Sequence, residues 1–248
     1  MPTLGALDDF ATDGLSVEQR KPQEAPMELN ADFSQPVVIR PEDHHWRPSP
    51  AAGVERMMLD RIGDEVARAT TIVRFAPNSA FDRHTHGGGE EFLVLEGVFS
   101  DEHADYPAGS YVRNPIGTAH TPHIGPEGAT ILVKLCQFAA DDTDQKAIDT
   151  RTARFEAGPI EGVEVLKLHR HGAEEVRLVR FQPGAGLDMQ AIGGEEVYVI
   201  EGTLQDAAGR YPADTWLRNP HPVTRARRSD EGCLLWVKTG HLPRAEAR

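Results

Sequence analysis

The sequence is poor in cysteine and in long apolar runs, and each shortage excludes something. Its two cysteines, Cys136 and Cys233, have no C-x-x-C spacing. Neither a disulfide scaffold nor a thiolate zinc site is expected from them. No apolar run approaches the roughly 20 residues that span a bilayer. The opening stretch "MPTLGALDDFATDG" has no basic start and no apolar centre, so it does not read as a signal peptide. The expectation is a cytoplasmic protein with no membrane partner. Basic residues are in the minority, with 26 Lys+Arg against 39 Asp+Glu and a net charge of -13. Such a surface repels phosphate backbones, so no nucleic-acid partner is expected. The one tight basic cluster, "RARR" from Arg225 to Arg228, reads as a solvated loop, with a local anion site as the alternative. Clean helical periodicity is missing as well. What remains is 248 residues of ordinary globular composition, 39% hydrophobic and 26% charged. That length suits one large or two small domains.

The chain contains itself twice. "GGEEFLVLEG" ends at Gly97 and "GGEEVYVIEG" at Gly202, an offset of 105 residues. "YPAGSYVRNP" from Tyr106 and "YPADTWLRNP" from Tyr211 keep the same offset. "VRFAP" and "VRFQP" lie 106 apart, and the two "GVE" words 109 apart. Small drifts of this kind are what loop insertions and deletions produce, so the duplication is real. Each copy is built of short β-branched and aromatic runs: "ATTIVRF" and "VRLVRF", "EEFLVLEG" and "EEVYVIEG" (each ending at its glycine), "TILVKLCQF" and "CLLWVKTG". Gly, Pro and Asn punctuate the intervals. The prediction is an all-β chain of two tandem barrels. Residues 1–29 read as a flexible arm or an arm on a sheet edge, 30–140 as the first domain, 141–159 as a polar linker and 160–248 as the second domain.

The first copy carries the chemistry. In a strand, residues i and i+2 share a face, so His84 and His86 of "FDRHTHGGGEEFLVLEG" point the same way. Neutral imidazole is the commonest transition-metal ligand. Glycines 87–89 let the chain turn back, and Glu90 can bring a carboxylate to the same cavity. "GSYVRNPIGTAH" offers His120 just after a Pro-x-Gly turn. A lone histidine in a β-barrel is more often a hydrogen-bonded core group or a surface residue. Three histidines and a glutamate in two separated motifs favour a metal site. Glu91 points to the opposite face and reads as structural or solvent-facing. His123 reads as a loop residue, and His44, His45, His103 and His221 as surface or loop. Phe92, Val94, Tyr111, Ile131 and Val133 are candidates for an apolar cavity lining.

"HTHGGGEEFLVLEG" resembles the first motif of the cupin superfamily, H-x-H-x3-E-x6-G, through His84, His86, Glu90 and Gly97. "GSYVRNPIGTAH" resembles the second, G-x5-P-x-G-x2-H, through Gly109, Pro115, Gly117 and His120. The asparagine that usually follows four residues later is Ile124 here, which removes a structural contact of the family but no ligand. The wording around the motifs, such as "GVERMMLDRIGDEVARATTIVRFAP", is similar to the ChrR-like cupin family. The similarity is close over residues 30–138 and weaker over 160–240. It implies two double-stranded β-helix (jelly-roll) barrels and one divalent transition metal on His84, His86, Glu90 and His120. Fe(II) or Zn is favoured, and the same ligand set takes Mn, Ni, Co or Cu. Four protein ligands on an octahedral metal leave two positions for a bidentate substrate, or for O₂ plus substrate.

The second copy keeps Glu195 where the first has Glu90, but Met189, Ala191 and Arg225 stand in place of His84, His86 and His120. It is expected to bind no metal, and Arg225 is expected to pair with Glu195 inside the barrel. "HRH" at His169 to His171 is another H-x-H, but it falls upstream of the motif's register and reads as surface or strand-end. The second barrel then covers sheet edges of the first or holds a separate small ligand. Three functions follow for the whole chain. The first is an oxygenase acting on a small carbonyl or phenolic compound. The second is a metal-binding sensor, since the resemblance extends to anti-sigma factors in which a cupin follows a zinc-binding helical domain. Residues before about 30 contain no Cys or His, which disfavours that form. The third is a zinc-dependent isomerase or hydrolase. Exposed edges and an N-terminal arm make a homodimer compatible with the sequence.

Overall fold

The computed structural model describes residues 27–64 and 66–242. Most of the expected N-terminal arm, residues 1–26, lies outside the described residues; Glu28–Leu29 pairs with the Val54–Ile62 strand at a sheet edge. Each copy folds into a curled antiparallel sheet, and the two sheets repeat one strand order. The first runs Val54–Ile62, Arg68–Phe75, His123–Leu135, Glu90–Ser100, Ser110–Asn114. The second runs Val163–His171, Glu174–Phe181, Cys233–Thr239, Glu195–Asp206, Trp216–Asn219. A short ribbon closes each barrel: His84–Thr85 with Ala119–His120 in the first copy, Gly186–Ala191 with Val223–Arg228 in the second. This is the double-stranded β-helix, twice. Among the described residues there is no α-helix, and no helix is long and apolar enough to cross a membrane.

The copies exchange edge strands. Val37–Ile39, ahead of the first copy, pairs with Trp216–Asn219 of the second sheet. Lys146–Asp149, ahead of the second copy, pairs with Ser110–Asn114 of the first. Each exchanged strand covers an edge that would otherwise expose unpaired backbone groups.

Two details depart from expectation. The Glu90–Ser100 strand does not end at Gly97 but bends there, and Glu195–Asp206 bends likewise at Gly202. Both glycines have positive φ, and a Cβ on either would lie 2.0 or 2.1 Å from a carbonyl oxygen of the neighbouring strand. Only glycine permits that approach. "RARR" is not a loop: it lies in the Val223–Arg228 strand, and Arg227 is buried.

Apolar side chains form three clusters. One fills the first barrel (Val73, Phe92, Phe99, Ile131, Val133 among others) and one the second (Val179, Phe181, Val197, Leu235, Val237 among others). The third lies between the copies and draws on both, including Leu59, Ile72, Leu93, Tyr111, Leu178, Tyr198, Trp216 and Trp236. Tyr111 therefore lines no cavity. It stands opposite Leu93, on the face that meets the other copy.

Fully buried charges cross this inter-copy layer in a pseudo-two-fold arrangement. Lys134 donates to Glu196 at 2.7 Å, and its counterpart Lys238 donates to Glu91 at 3.1 Å. Lys134 also reaches Thr70 at 2.7 Å. Glu91 further accepts from Arg113 and from the Tyr111 hydroxyl, and Arg218 pairs with Asp60 at 3.2 Å. Burial alone would raise the Glu91 pKa, but Lys238 and Arg113 carry it down to about 2. Glu91 is thus structural, as one of the two sequence readings has it, and not solvent-facing. His169 is not a surface residue either. A bulge between Lys167 and His169 turns it inward, where it meets Asp142 at 2.9 Å. His171 sits at its strand's end beside Asp141.

Candidate metal centre

The residues of the two motifs come together at one end of the first barrel. The ribbon pairs His84 directly with His120. The turn after His86 delivers Glu90 to the start of the next strand. One donor atom from each of His84, His86, Glu90 and His120 lies within 4.8 Å of the others. The rings are mutually edge-on, with centroids 4.7 to 5.3 Å apart. His86 Nε2 is 3.5 Å and His120 Nε2 3.7 Å from Glu90 Oε1. His86, Glu90 and His120 are buried, while His84 is exposed at the mouth.

The far side of each ring fixes its tautomer. His84 Nδ1 lies 3.1 Å from the Asp82 carbonyl oxygen, which can only accept. His120 Nδ1 lies 3.2 Å from the Asp101 carboxylate. His86 Nδ1 lies 2.9 Å from the Thr118 hydroxyl, whose own proton goes to the Pro115 carbonyl at 2.7 Å. Every Nδ1 therefore donates, and every Nε2 of a neutral ring turns a lone pair inward. His84 Nε2 and His120 Nε2 stand 3.2 Å apart. With both protons on Nδ1, that contact is lone pair against lone pair and not a hydrogen bond. His86 Nε2 is buried without a hydrogen-bond partner. Burial pulls the His86 pKa below its ordinary value, with Glu90 opposing. Converging acceptors beside a carboxylate fit a divalent cation, which would satisfy all of them at once.

The supporting residues were missed by sequence reasoning, although a signal existed. Asn114 donates to Glu90 at 3.2 Å, as Asn219 does to Glu195 at 3.0 Å. Asp101 accepts from the Tyr106 hydroxyl, as Asp206 does from Tyr211. Burial and then Asp101 push the Tyr106 pKa up to about 12, so the phenol stays a donor. These pairs recur at an offset of 105 and could have been found by asking what the copies share outside the motifs.

The first barrel's cleft has a volume of about 550 Å³ and is lined by His84, Glu90 and His120 together with Val73, Phe75, Phe81, Phe99, Ile131 and Val133. Of the lining expected from sequence, Ile131 and Val133 border the cleft, while Phe92 and Val94 pack in the core behind it. His123 begins its strand, exposed. His44, His45 and His221 lie at or near the surface.

In the second barrel the register places Arg225 opposite Met189, as it places His120 opposite His84. Yet Arg225 is not the partner of Glu195. Arg227, two residues on and on the same face, makes a bidentate pair with it at 2.6 and 3.2 Å. The expected ion pair exists with a different arginine, because Arg227 is the deeper of the two. A further group of possible donors, Asp142, His169 and Glu174, lies between the copies. Arg113 reaches Asp142 at 2.5 Å and Lys238 reaches Glu174 at 2.7 Å. Those cations already neutralise the carboxylates, so the cluster is an ion-pair network.

Two barrels of one topology, the first with a His/Glu donor cluster, define the class. A family model described as the ChrR cupin-like domain matches residues 34–139 and again 143–243. The chain belongs to that family in both halves. No curated protein matches it. Among solved structures, a candidate dioxygenase from Nostoc punctiforme is similar at 16% identity, over 90% of this chain and 86% of that one, with a TM-score of 0.64. A mutant of Bacillus subtilis oxalate decarboxylase is similar at 16% identity, over 84% and 78%, with a TM-score of 0.55. The Escherichia coli pirin YhhW in complex with nickel(II) is similar at 12% identity, over 85% and 100%, with a TM-score of 0.62. At these identities the likeness is one of fold.

Proposed function

We propose that the chain is a metal-dependent cupin enzyme, a non-haem Fe(II)-type oxygenase acting on a small carbonyl or phenolic compound, with His84, His86, Glu90 and His120 as the metal ligands. The observation that carries the reading is the convergence of three Nε2 lone pairs and one carboxylate beside a mostly apolar cleft. When bound, the metal would supply a Lewis acid and, as iron, a redox couple able to engage O₂. The chain's own residues do the rest. Asp82, Thr118 and Asp101 hold the three rings in one tautomer. Glu90 lowers the net charge of a divalent site by one unit, which suits an anionic, enolate-forming substrate. Phe75, Phe81 and Phe99 give the cleft an apolar wall that excludes water from a small ligand. The volume fits a small molecule, and the lining is mostly apolar, with Asp82, His84, Glu90 and His120 as its charged or ring-nitrogen groups.

A second reading follows from the family itself, whose model is named for ChrR: a metal-binding sensor module in which the metal reports and does not turn over. One experiment separates the readings. The protein is purified without added metal, its metal content is measured, and O₂ uptake is followed against a panel of β-diketones and hydroxyketones. Iron with uptake on a member of the panel is the expected result. Zinc with no uptake across the panel overturns the oxygenase and leaves the sensor or a zinc-dependent isomerase or hydrolase. The variant His84→Ala should lose the metal, and unchanged occupancy would remove the ligand assignment.

A further inference from the structure

The second barrel has lost the ligands of a cation and has gained cations in their place. At an offset of 105, His120 of the first copy corresponds to Arg225, and Pro122 to Arg227. The neighbouring wall changed too. Met58 and Thr71 are direct cross-strand partners in the first copy; their counterparts in the second, Lys167 and Arg177, are also direct partners. Like charges set opposite each other on an antiparallel pair repel. The fold does not require them there, because the first copy fills the same pair with neutral side chains. This wall faces the barrel. Arg177 stands opposite Val237 and two residues from Val179, both in the second barrel's core.

Among the described residues, each cation of this wall has a single carboxylate partner, and none has two. Glu175 is shared, taking Arg177 at 3.1 Å and Arg170 at 3.5 Å. Lys167, whose side chain is 78% exposed at the mouth of the cleft, meets Glu156 at 3.0 Å. The side chain of Arg177 is only 21% exposed. Burial pulls its pKa down, with Glu175 and Glu195 opposing. Over the wall lies a cleft of about 550 Å³, whose other lining includes Val165, Val179, Leu187 and Met189. Two facing cations beside an apolar surface match the two ends of one kind of ligand.

We propose that this cleft binds a small organic anion, a carboxylate with an apolar body, held at its charged end by Lys167 and Arg177. The Arg177 fork takes a carboxylate in the geometry that suits it, and Lys167 adds a point charge from the facing strand. Val179, Leu187 and Met189 cover the body. The anion relieves the repulsion across the strand pair, which a neutral ligand of the same shape does not. The site is separate from the first barrel's donor cluster and does not rest on the oxygenase reading.

The test is calorimetric titration of the full chain with hexanoate and benzoate at low ionic strength, and with 1-hexanol as the neutral probe. The wild type should bind a carboxylate, more weakly as salt is added, and should not bind hexanol. Arg177→Thr and Lys167→Met install the first copy's residues. Each should weaken carboxylate binding by about tenfold or more, and each should unfold no earlier than the wild type without ligand. His84→Ala should bind the carboxylate as the wild type does. No binding by the wild type overturns the proposal, as does equal binding by both wall variants. Loss of binding in His84→Ala would also overturn it, by moving the anion to the first barrel. If Arg177→Thr fails to fold, Lys167→Met decides alone.

Discussion

Replacing Lys134 by methionine tests whether the inter-copy charges act as a coupled unit. Lys134 and Glu196 are fully buried, 2.7 Å apart, one from each copy. At an effective dielectric of about 20, attraction across that gap is about 6 kcal/mol. Removing the lysine also removes its own desolvation cost, which returns part of this. The net loss expected is about 3–5 kcal/mol, the usual cost of leaving one charge of a buried pair alone. For a chain of this size that lowers the unfolding midpoint by roughly 6–20 °C. His241 adds a signature. Burial holds its pKa down to about 4, and Lys134 is among the cations that disfavour its charged form. Without Lys134, His241 should take up a proton more readily and partner Glu196, so the loss should shrink as pH falls below about 6. Lys238→Met should cost less, because Glu91 keeps Arg113 and Tyr111. The assay is urea unfolding of Lys134→Met, Glu196→Gln and the double variant. A coupling energy of about 2 kcal/mol or more is expected. A single-variant loss below about 1 kcal/mol, or additive effects, would refute the reasoning.

Other outcomes follow from the same geometry. Asp101→Asn should weaken metal binding by about 10–100-fold through His120, while Asp206→Asn, its counterpart in the barrel without ligands, should leave metal content unchanged. Arg227→Met should destabilise the chain by about 3–5 kcal/mol by orphaning Glu195, and adding Glu195→Gln should restore most of it, as read by urea midpoints. His241 is neutral in the fold, with a pKa of about 4 against the ordinary 6.5. The unfolded chain therefore binds more protons between those values, so stability should fall as pH drops from 6.5 to 4. His241→Gln should flatten that window. Glu91, at about 2 against 4.5, extends the loss to lower pH by the same linkage, and Glu91→Gln should flatten the lower window.

Much of this was legible in the chain. The repeated words fixed two barrels of one topology, because strands and their turn glycines recur together. The spacing of His84, His86, Glu90 and His120 brought four donors to one point, because strand parity and one turn determine where they go. What stayed hidden depended on contacts between distant segments. Parity correctly put Glu91 on the far face, but nothing local says that this face meets Lys238 of the other copy. The offset correctly set Arg225 opposite Met189, yet side-chain depth gave Glu195 to Arg227. Tyr111 was misplaced because both faces of its strand are buried. His169 was misplaced because a one-residue bulge reverses parity. Gly97 looked like a stop and is a bend, since a close carbonyl and not chain termination explains the glycine.

The crossed edge strands make the two halves a poor target for dissection. A chain cut between the copies would leave Val37–Ile39 with no Trp216–Asn219 to join, and Ser110–Asn114 with its edge bare. In such a fragment the two defects are complementary. Val37–Ile39 of one molecule stands to the bare edge of a second as it stands to the second copy here. The intact protein thus has the strand exchange of a domain-swapped dimer within a single polypeptide, with the donor set carried by its first half.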